Sequence, residues 1–294
     1  MTTGARGPHG VLVVDKPAGI SSAQAVETVK RALGASRAGH GGTLDPLATG
    51  VLPVCLGAAT KLAQHLLADD KAYEADAVLG VETDTLDRTG RVVRERPWQA
   101  ATREALERAL AARTGEHDQV PPMYSAIKQG GVRLYQRARA GEEVERAPRR
   151  VRIDRLELLA WEPPHFRIAI ACGKGTYVRS LVADLGEDLG CGAHLTELRR
   201  TQSGRFSLAQ AVPLDALDTR RMVAPSDALG LPVVRATAEL LRPILSGVQL
   251  ALEALEAQDL EQFQILAPSN QLLAIAHAER GRVIYDRVFP ELAG

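Results

Sequence analysis

The 294-residue chain carries 36 basic and 36 acidic residues, and 45% of its residues are hydrophobic, which is enough apolar material for one large core and a second small one. The balanced charge argues against an unspecific polyanion binder. The chain has no apolar run as long as a membrane span and no hydrophobic core of a signal peptide near its start, so we expect a cytoplasmic protein without membrane contact. Cys55, Cys172 and Cys191 show no zinc spacing, which predicts reduced core thiols and no metal site.

The first predicted elements are a strand and a helix that lead into a glycine-rich loop. A β-branched run at residues 11–15 predicts the strand, and Ser21 or Ser22 can cap a helix whose apolar spacing ends at Gly34. Residues 39–50 follow with the sequence Gly-His-Gly-Gly-Thr-Leu-Asp-Pro-Leu-Ala-Thr-Gly. No ordinary core strand has this composition, so these residues predict a shaped loop.

Asp45 is the one carboxylate in this glycine loop. Pro46 disfavours helical geometry at Asp45, and the glycines allow the backbone to lie directly against a ligand. Taken alone, an Asp-Pro pair is more often a surface turn in which the aspartate caps its own backbone. A phosphate cradle fits less well, because the run lacks the Lys-Ser/Thr ending of a P-loop and the glycine spacing of a dinucleotide fingerprint.

The middle of the chain predicts strands, a helix and a long excursion. Alternation over residues 73–79 predicts a strand, residues 80–90 an acidic turn-rich connection, and Thr102 the start of a helix that ends near Gly115. Residues 118–149 combine Pro-Pro and Gly-Gly pairs with little apolar periodicity. We interpret them as a mobile excursion from the fold, for which a solvated loop is the simpler explanation.

The remaining elements are two strands, one helix and a small β-rich region. Residues 151–159 and 166–172 predict the strands, and a helix that carries Arg179 in its first turn follows and ends at Gly190. From about residue 231 the pattern changes to short apolar runs, which predict a small β-rich domain. These runs are residues 244–252, 271–276 and 283–288.

Charge is distributed unevenly along the chain. Residues 125–155 contain nine bases and four acids, whereas residues 250–294 contain seven acids and three bases. A locally basic segment is typical of a nucleic-acid contact.

Five blocks of sequence, taken together, resemble the TruB-type tRNA pseudouridine synthases, bacterial enzymes that act on the T-loop uridine at tRNA position 55. The blocks are residues 14–17 with Gly19, Ser21 and Ser22; residues 39–53; residues 71–73; residues 122–126 with Lys128; and residues 174–179 continuing through 191–194 to 198–200.

The resemblance implies an α+β fold with a mixed, largely antiparallel sheet and flanking helices. It implies a flexible tail at residues 1–9 and a catalytic domain at residues 10–230, with a basic thumb insertion at about residues 118–149. Residues 231–294 would form a small C-terminal PUA-like β-rich domain, which in this chain is acidic.

The resemblance also implies the catalytic residues. Asp45 would be the essential carboxylate, which is ionised at neutral pH and can add to the sugar or base or help remove a proton. Arg179 would pair with Asp45 through two parallel hydrogen bonds. Tyr73 would stack on the flipped base and assist proton removal at C5, and no metal or organic cofactor would be needed.

The implied partner is the T-arm of tRNA, recognised by its shape and extruded bases. His40 would pack against RNA near the flipped nucleotide, and Tyr177 and Leu198 would contact the target base, although Leu198 could equally be a core residue. The resemblance implies no obligatory protein partner. The thumb residues that could contact phosphates are Lys128, Arg133, Arg137 and Arg139.

Two alternatives stay open. One is a noncatalytic RNA-binding or RNA-folding protein, which the presence of Asp45, Tyr73 and Arg179 disfavours because binding alone needs no carboxylate beside RNA. The other is a related synthase with a different RNA target, for example one that depends on a guide RNA.

Overall fold

The structure is a computed structural model that describes residues 7–125, 127–134, 137, 142, 144–255 and 260–292. The chain divides into two compact units, each built from separate chain segments. The first unit comprises Met1–Leu44, Leu52–Leu67 and Arg205–Gly294, and the second comprises Asp45–Val51 and Ala68–Gly204.

The described residues form short helices and a larger number of strands. The α-helices are α1 (Ser22–Ala32), α2 (Ala63–Ala68), α3 (Arg103–Ala112), α4 (Val178–Asp188) and α5 (Leu241–Leu245). Strands β1–β9 are Gly10–Lys16, Ala38–His40, Thr49–Leu56, Lys71–Leu79, Val81–Thr83, Val92–Glu95, Gly115–Gln119, Lys128–Gln129 and Val132–Arg133. Strands β10–β18 are Arg149–Glu162, His165–Cys172, Ala193–Ser203, Phe206–Ser207, Val212–Pro213, Val233–Arg235, Phe263–Leu266, Leu272–Glu279 and Arg282–Val288. Turns of 3₁₀ helix are Gly57–Leu62, Leu208–Gln210, Thr219–Arg221, Pro225–Asp227, Ala238–Leu240, Leu252–Leu255 and Pro290–Leu292. Within the described residues, no helix has the length and apolar composition needed to cross a membrane.

The first unit begins with the predicted strand and helix. Strand β1 pairs in parallel with β14, and β2 pairs antiparallel with β3. Helix α1 starts at a capping box, in which Ser21 Oγ accepts from the Gln24 N–H and the Gln24 side chain accepts from the Ser21 N–H. Gly34 follows the last turn at φ +62°, so the predicted cap and stop are both confirmed.

The C-terminal part of the first unit contains a four-stranded sheet in the order β15-β16-β17-β18. Its apolar side chains form a buried core that includes Phe263, Ile265 and Leu273, which confirms the predicted β-rich region. Of the apolar runs that indicated this region, residues 244–252 belong to none of its four strands, since Ile244 lies near the end of helix α5 and is fully buried there. A short apolar run can be buried by a helix as well as by a strand.

The second unit is built on a sheet in the order β3-β12-β4-β11-β10-β7. Only the first residues of β3 belong to this unit, and they pair in parallel with β12. The pairs formed by β4, β7, β10, β11 and β12 with one another are antiparallel. Helix α4 packs on β12 and helix α3 on β10. The predicted mixed, largely antiparallel sheet with flanking helices is therefore confirmed.

Three elements differ from the sequence-based expectations. Strand β12 lies inside this sheet but was not predicted, because its buried positions include His194, Arg200 and Ser203 and break the apolar alternation. The predicted acidic connection contains β5, which pairs with β6 as a hairpin. The glycine loop is also shorter than predicted, since β2 ends at His40 and β3 begins at Thr49.

The predicted excursion at residues 118–149 leaves the sheet after β7 and returns at β10. Strands β8 and β9 pair as a short hairpin within it. Leu134 follows the hairpin and is 2% exposed, so this part of the excursion packs onto protein.

Candidate active site

The residues on either side of the loop that carries Asp45 make close contacts through their backbone atoms. Before it, Ser22 Oγ lies 2.8 Å from the Leu44 nitrogen and 2.9 Å from the Leu44 carbonyl oxygen. After it, Gly50 pairs with Arg200 and has φ +102°, and a Cβ atom at Gly50 would lie 2.2 Å from the Arg200 carbonyl oxygen. Only glycine fits this backbone conformation and this space. The loop therefore needs Gly50 to meet strand β12.

Arg179 makes three hydrogen bonds from a buried position in the first turn of helix α4. Its side chain is 4% exposed, and its Nε donates to Asp45 Oδ2 at 2.9 Å. Its two terminal nitrogens donate to the carbonyl oxygens of Thr85 at 2.9 Å and Tyr124 at 2.8 Å. The pairing with Asp45 thus uses one hydrogen bond rather than the predicted two, and the two terminal nitrogens of the guanidinium donate to backbone carbonyls instead.

The geometry leaves Asp45 accessible while its partner is fixed. The Asp45 side chain is 33% exposed, and the Arg179 side chain is almost fully enclosed. A guanidinium held by three acceptors cannot rotate freely, so it aims the carboxylate that it binds. A reacting group could therefore approach Asp45 from solvent.

Asp87 is a second carboxylate near Arg179, and unlike Asp45 it is buried; the sequence alone did not identify it. Its Oδ2 lies 3.8 Å from Arg179 Nε, and its side chain is 5% exposed. Its Oδ1 accepts from Thr85 Oγ1 at 2.8 Å and from the Thr89 N–H at 2.9 Å. Leu86, which lies between Thr85 and Asp87 in the sequence, has φ +62°, a strained conformation for leucine. The run Thr-Leu-Asp-Arg-Thr, in which short hydroxyl side chains flank an aspartate, was the available signal.

Tyr73 lies on strand β4 opposite Arg200 of β12, and Leu198 lies opposite Ala75. Because side chains two positions apart share a face of a strand, Tyr73 and Leu198 lie on the same face of the sheet. Burial raises the pKa of the Tyr73 phenol, a hydrogen bond with the Arg200 guanidinium opposes the shift, and the Asp45 charge adds to it. The phenol is therefore neutral at neutral pH, and it lies within electrostatic reach of Asp45.

Tyr177 lies at the start of a helix, and His40 lies at the end of a strand. Tyr177 is the N-cap residue of helix α4. Burial raises the pKa of its phenol, and the nearby charges of Asp45 and Arg179 act on it in opposite directions. His40 ends strand β2 in the first unit, where its Nδ1 accepts from the Gly42 N–H at 3.4 Å.

The predicted phosphate contacts lie in the thumb. Lys128 belongs to strand β8 and Arg133 to strand β9, but their side chains lie outside the described part of the structure, as does all of Arg139. Arg137 is half-buried, and its Nε lies 3.9 Å from a carboxylate oxygen of Glu142.

Comparisons with known proteins agree with this architecture. Residues 30–178 match the model of the TruB family pseudouridylate synthase N-terminal domain, and residues 179–253 match that of the tRNA pseudouridylate synthase B C-terminal domain. The tRNA pseudouridine synthase B of Stutzerimonas stutzeri is 52% identical over 83% of this chain and 77% of its own length. That of Ralstonia nicotianae is 50% identical over 96% of this chain and 95% of its own.

A solved structure gives the same fold. The matching chain of a Cbf5-Nop10-Gar1 complex superposes with a TM-score of 0.75 at 27% identity, over 97% of this chain and 86% of that chain. Two family models together span most of the sequence, and relatives at about half identity cover nearly all of it. The chain therefore belongs to the TruB family of pseudouridine synthases and is an RNA-binding isomerase that modifies tRNA.

Proposed function

We propose that this enzyme converts the T-loop uridine at position 55 of tRNA into pseudouridine, with Asp45 as the essential carboxylate and the target base flipped out of its stack. The observation that carries the proposal is the ion pair between Asp45 and Arg179. The arginine is buried and held by three acceptors, whereas the carboxylate remains one-third exposed.

The reaction breaks the C1′–N1 bond, turns the base and joins C1′ to C5. A carboxylate can serve this chemistry by adding to the sugar or base, or by helping to remove a proton from the sugar. Arg179 keeps the Asp45 carboxylate oriented. Tyr73 stacks on the flipped base and assists proton removal at C5. Tyr177, Leu198 and His40 complete the contacts to the substrate.

The proposed substrate portion is the T-arm, recognised by its folded shape and its unstacked bases. The relatives named tRNA pseudouridine synthase B support a tRNA substrate. The basic segment at residues 125–155 supplies cations for the phosphates. We propose that the enzyme acts without a protein partner in the cytoplasm.

A second candidate follows from the likeness to a Cbf5 chain solved with Nop10 and Gar1. In that case this enzyme would act on another RNA and would need partner proteins. The relatives at about half identity favour the tRNA reaction over this alternative.

Release of tritium from uridine C5 tests the proposal, because joining C1′ to C5 displaces the C5 hydrogen. Purified enzyme alone should release label from unmodified tRNA and from an isolated T-arm stem-loop labelled at the target uridine. The same stem-loop with cytidine at the target position should give no conversion. Release only after addition of a guide RNA or another protein would support the second candidate and reject the first.

A further inference from the structure

Gln119, the last residue of strand β7, makes two hydrogen bonds to the main chain of Tyr177, one through each polar atom of its side-chain amide. Its Nε2 donates to the Tyr177 carbonyl oxygen at 3.1 Å, and its Oε1 accepts from the Tyr177 N–H at 2.8 Å. Gln119 is 2% exposed, and its own backbone pairs with Arg149 of β10. The main chain of Gln119 therefore pairs within the sheet, and its side chain binds the start of helix α4.

Helix α4 needs such a contact because its own sequence provides no cap. Tyr177 is the N-cap residue, is extended at φ −104° and ψ 108°, and makes no capping bond with its side chain. Helix starts without a capping partner leave backbone N–H groups unsatisfied and fray. Ser180 adds a second tether, since its Oγ donates to the Val120 carbonyl oxygen at 2.9 Å.

Arg179 lies between these two tethers, next to Ser180. Its backbone position is fixed by Gln119 acting on Tyr177 and by Val120 acting on Ser180. The Tyr124 carbonyl, which follows in the same chain segment, accepts from the guanidinium itself. Residues 119–124 therefore hold both the backbone and the side chain of the first helical turn.

We propose that Gln119 is a positioning residue for the isomerisation, holding Tyr177 and Arg179 at the distances that Asp45 and the target base require. This inference rests on the roles proposed above for those residues. Gln119 is too buried to meet the substrate, so it acts through Tyr177 and Arg179. Because catalysis is sensitive to small displacements of oriented groups, removing the Gln119 amide should reduce turnover more than binding.

The first test compares Gln119→Met with Gln264→Met. Methionine keeps the volume of glutamine but makes no comparable hydrogen bonds. Gln264 is a matched control, since it is 3% exposed, makes one hydrogen bond to the Leu231 carbonyl oxygen at 3.4 Å and lies in the first unit. We expect Gln119→Met to lower kcat on the T-arm stem-loop by roughly tenfold or more, which is ~1.4 kcal/mol in the barrier. The RNA dissociation constant should stay within about twofold, as expected for groups that act only in the transition state.

Amide hydrogen exchange tests the contact without reference to activity. The Tyr177 N–H should exchange roughly tenfold faster in Gln119→Met, because methionine offers it no acceptor, and should be unchanged in Gln264→Met. Wild-type protection equal to that of Gln119→Met would overturn the contact itself. This readout also separates a failure of the present inference from a failure of the proposed reaction, which wild-type label release reports.

The variant Gln119→Glu tests the direction of the hydrogen bonds. A carboxylate accepts from the Tyr177 N–H but cannot donate to the Tyr177 carbonyl, whereas a protonated carboxyl does both. Burial raises the pKa of a carboxyl group, so the kcat of this variant, relative to wild type, should recover as the pH falls from about 8 to about 5.5. A flat ratio would contradict the positioning role. Equal kcat values for Gln119→Met and the Gln264→Met control would also contradict it. If Gln119→Met fails to fold, the Gln119→Glu ratio decides alone.

Discussion

At the residue scale, Arg179 differs from the many exposed arginines of this chain because its guanidinium is buried among three acceptors. A surface ion pair contributes little, since water and salt screen it. A buried arginine deprived of its acceptors becomes an uncompensated charge instead. Asp87, only 3.8 Å from the Arg179 Nε atom, strengthens the acidic surroundings of this group.

The variant Arg179→Lys should therefore be far more damaging than a surface exchange. Lysine keeps the charge but cannot direct donors to Asp45, Thr85 and Tyr124 together, so we expect kcat to fall by about a hundredfold or more. Arg167→Lys is the matched control, because Arg167 Nε pairs with Asp76 at 2.7 Å in an exposed position of the same unit. Steady-state label release measures both variants. Equal kcat values for the two variants would show that the Asp45 contact has no catalytic importance.

The cysteines give a prediction about alkaline stability. All three are buried and free, as predicted, and burial raises the pKa of the Cys55 thiol from 9.0 to about 12. The folded state therefore keeps this thiol protonated where the unfolded chain ionises. Its contribution to stability is complete below pH 9 and disappears as the pH rises towards 12.

Cys55→Ala removes this dependence. The free energy of unfolding of wild type should fall relative to Cys55→Ala by about 1.4 kcal/mol per pH unit above the unfolded pKa. Urea titrations at several pH values between about 8 and 10.5 measure the difference. A difference independent of pH would mean that the thiol ionises equally easily in both states.

At the scale of elements, the sequence predicts the segments with regular apolar spacing, but it does not predict strand β12 or the contacts that assemble the site. Helices α1 and α4 and strands β4 and β11 follow local apolar spacing, which a sequence window contains. Strand β12 does not, because Arg200 occupies a buried position where a window expects an apolar residue. Asp87 joins the site through a contact with a residue far along the chain. Such contacts depend on tertiary structure, so only the family resemblance indicated the neighbourhood of Asp45 and Arg179.

The junction between the glycine loop and β12 gives a prediction about Gly50. Alanine there would take a positive φ and place Cβ 2.2 Å from the Arg200 carbonyl oxygen. We expect Gly50→Ala to lower the free energy of unfolding by about 1–3 kcal/mol or more and to lower Tm by several degrees. Gly39→Ala is the control, since Gly39 has open space around a Cβ position and no positive φ. Calorimetry that finds the two variants equally stable would contradict the close approach.

At the scale of the whole molecule, neutral net charge conceals a basic segment at residues 125–155. Binding through phosphates releases counterions, so the affinity for RNA should depend on salt despite the balanced composition. A separate C-terminal domain from residue 231 stays a prediction.

Neutralising Lys128, Arg133, Arg137 and Arg139 together should weaken T-arm binding and flatten the slope of log affinity against log salt. Each cation that binds a phosphate should account for roughly 0.7 to 0.9 of that slope, so the slope should fall by this amount for every such cation removed. Neutralising Lys30, Arg31, Arg220 and Arg221 removes the same charge from exposed or partly exposed positions of the first unit and serves as the control. An equal slope for wild type and the thumb variant, with intact circular dichroism, would make the basic segment a solvated loop.

The proposed role of Asp45 in the chemistry is tested most directly by Asp45→Asn. Asparagine keeps the shape of the side chain but removes the charge, so single-turnover release of tritium should be abolished while T-arm affinity stays within about tenfold. Asp76→Asn is the matched control, because Asp76 is similarly exposed, at 31% against 33%, and pairs with an arginine Nε in the same unit. We expect that control to release label at the wild-type rate. Release by Asp45→Asn at a tenth of the wild-type rate or faster would show that another group performs the chemistry.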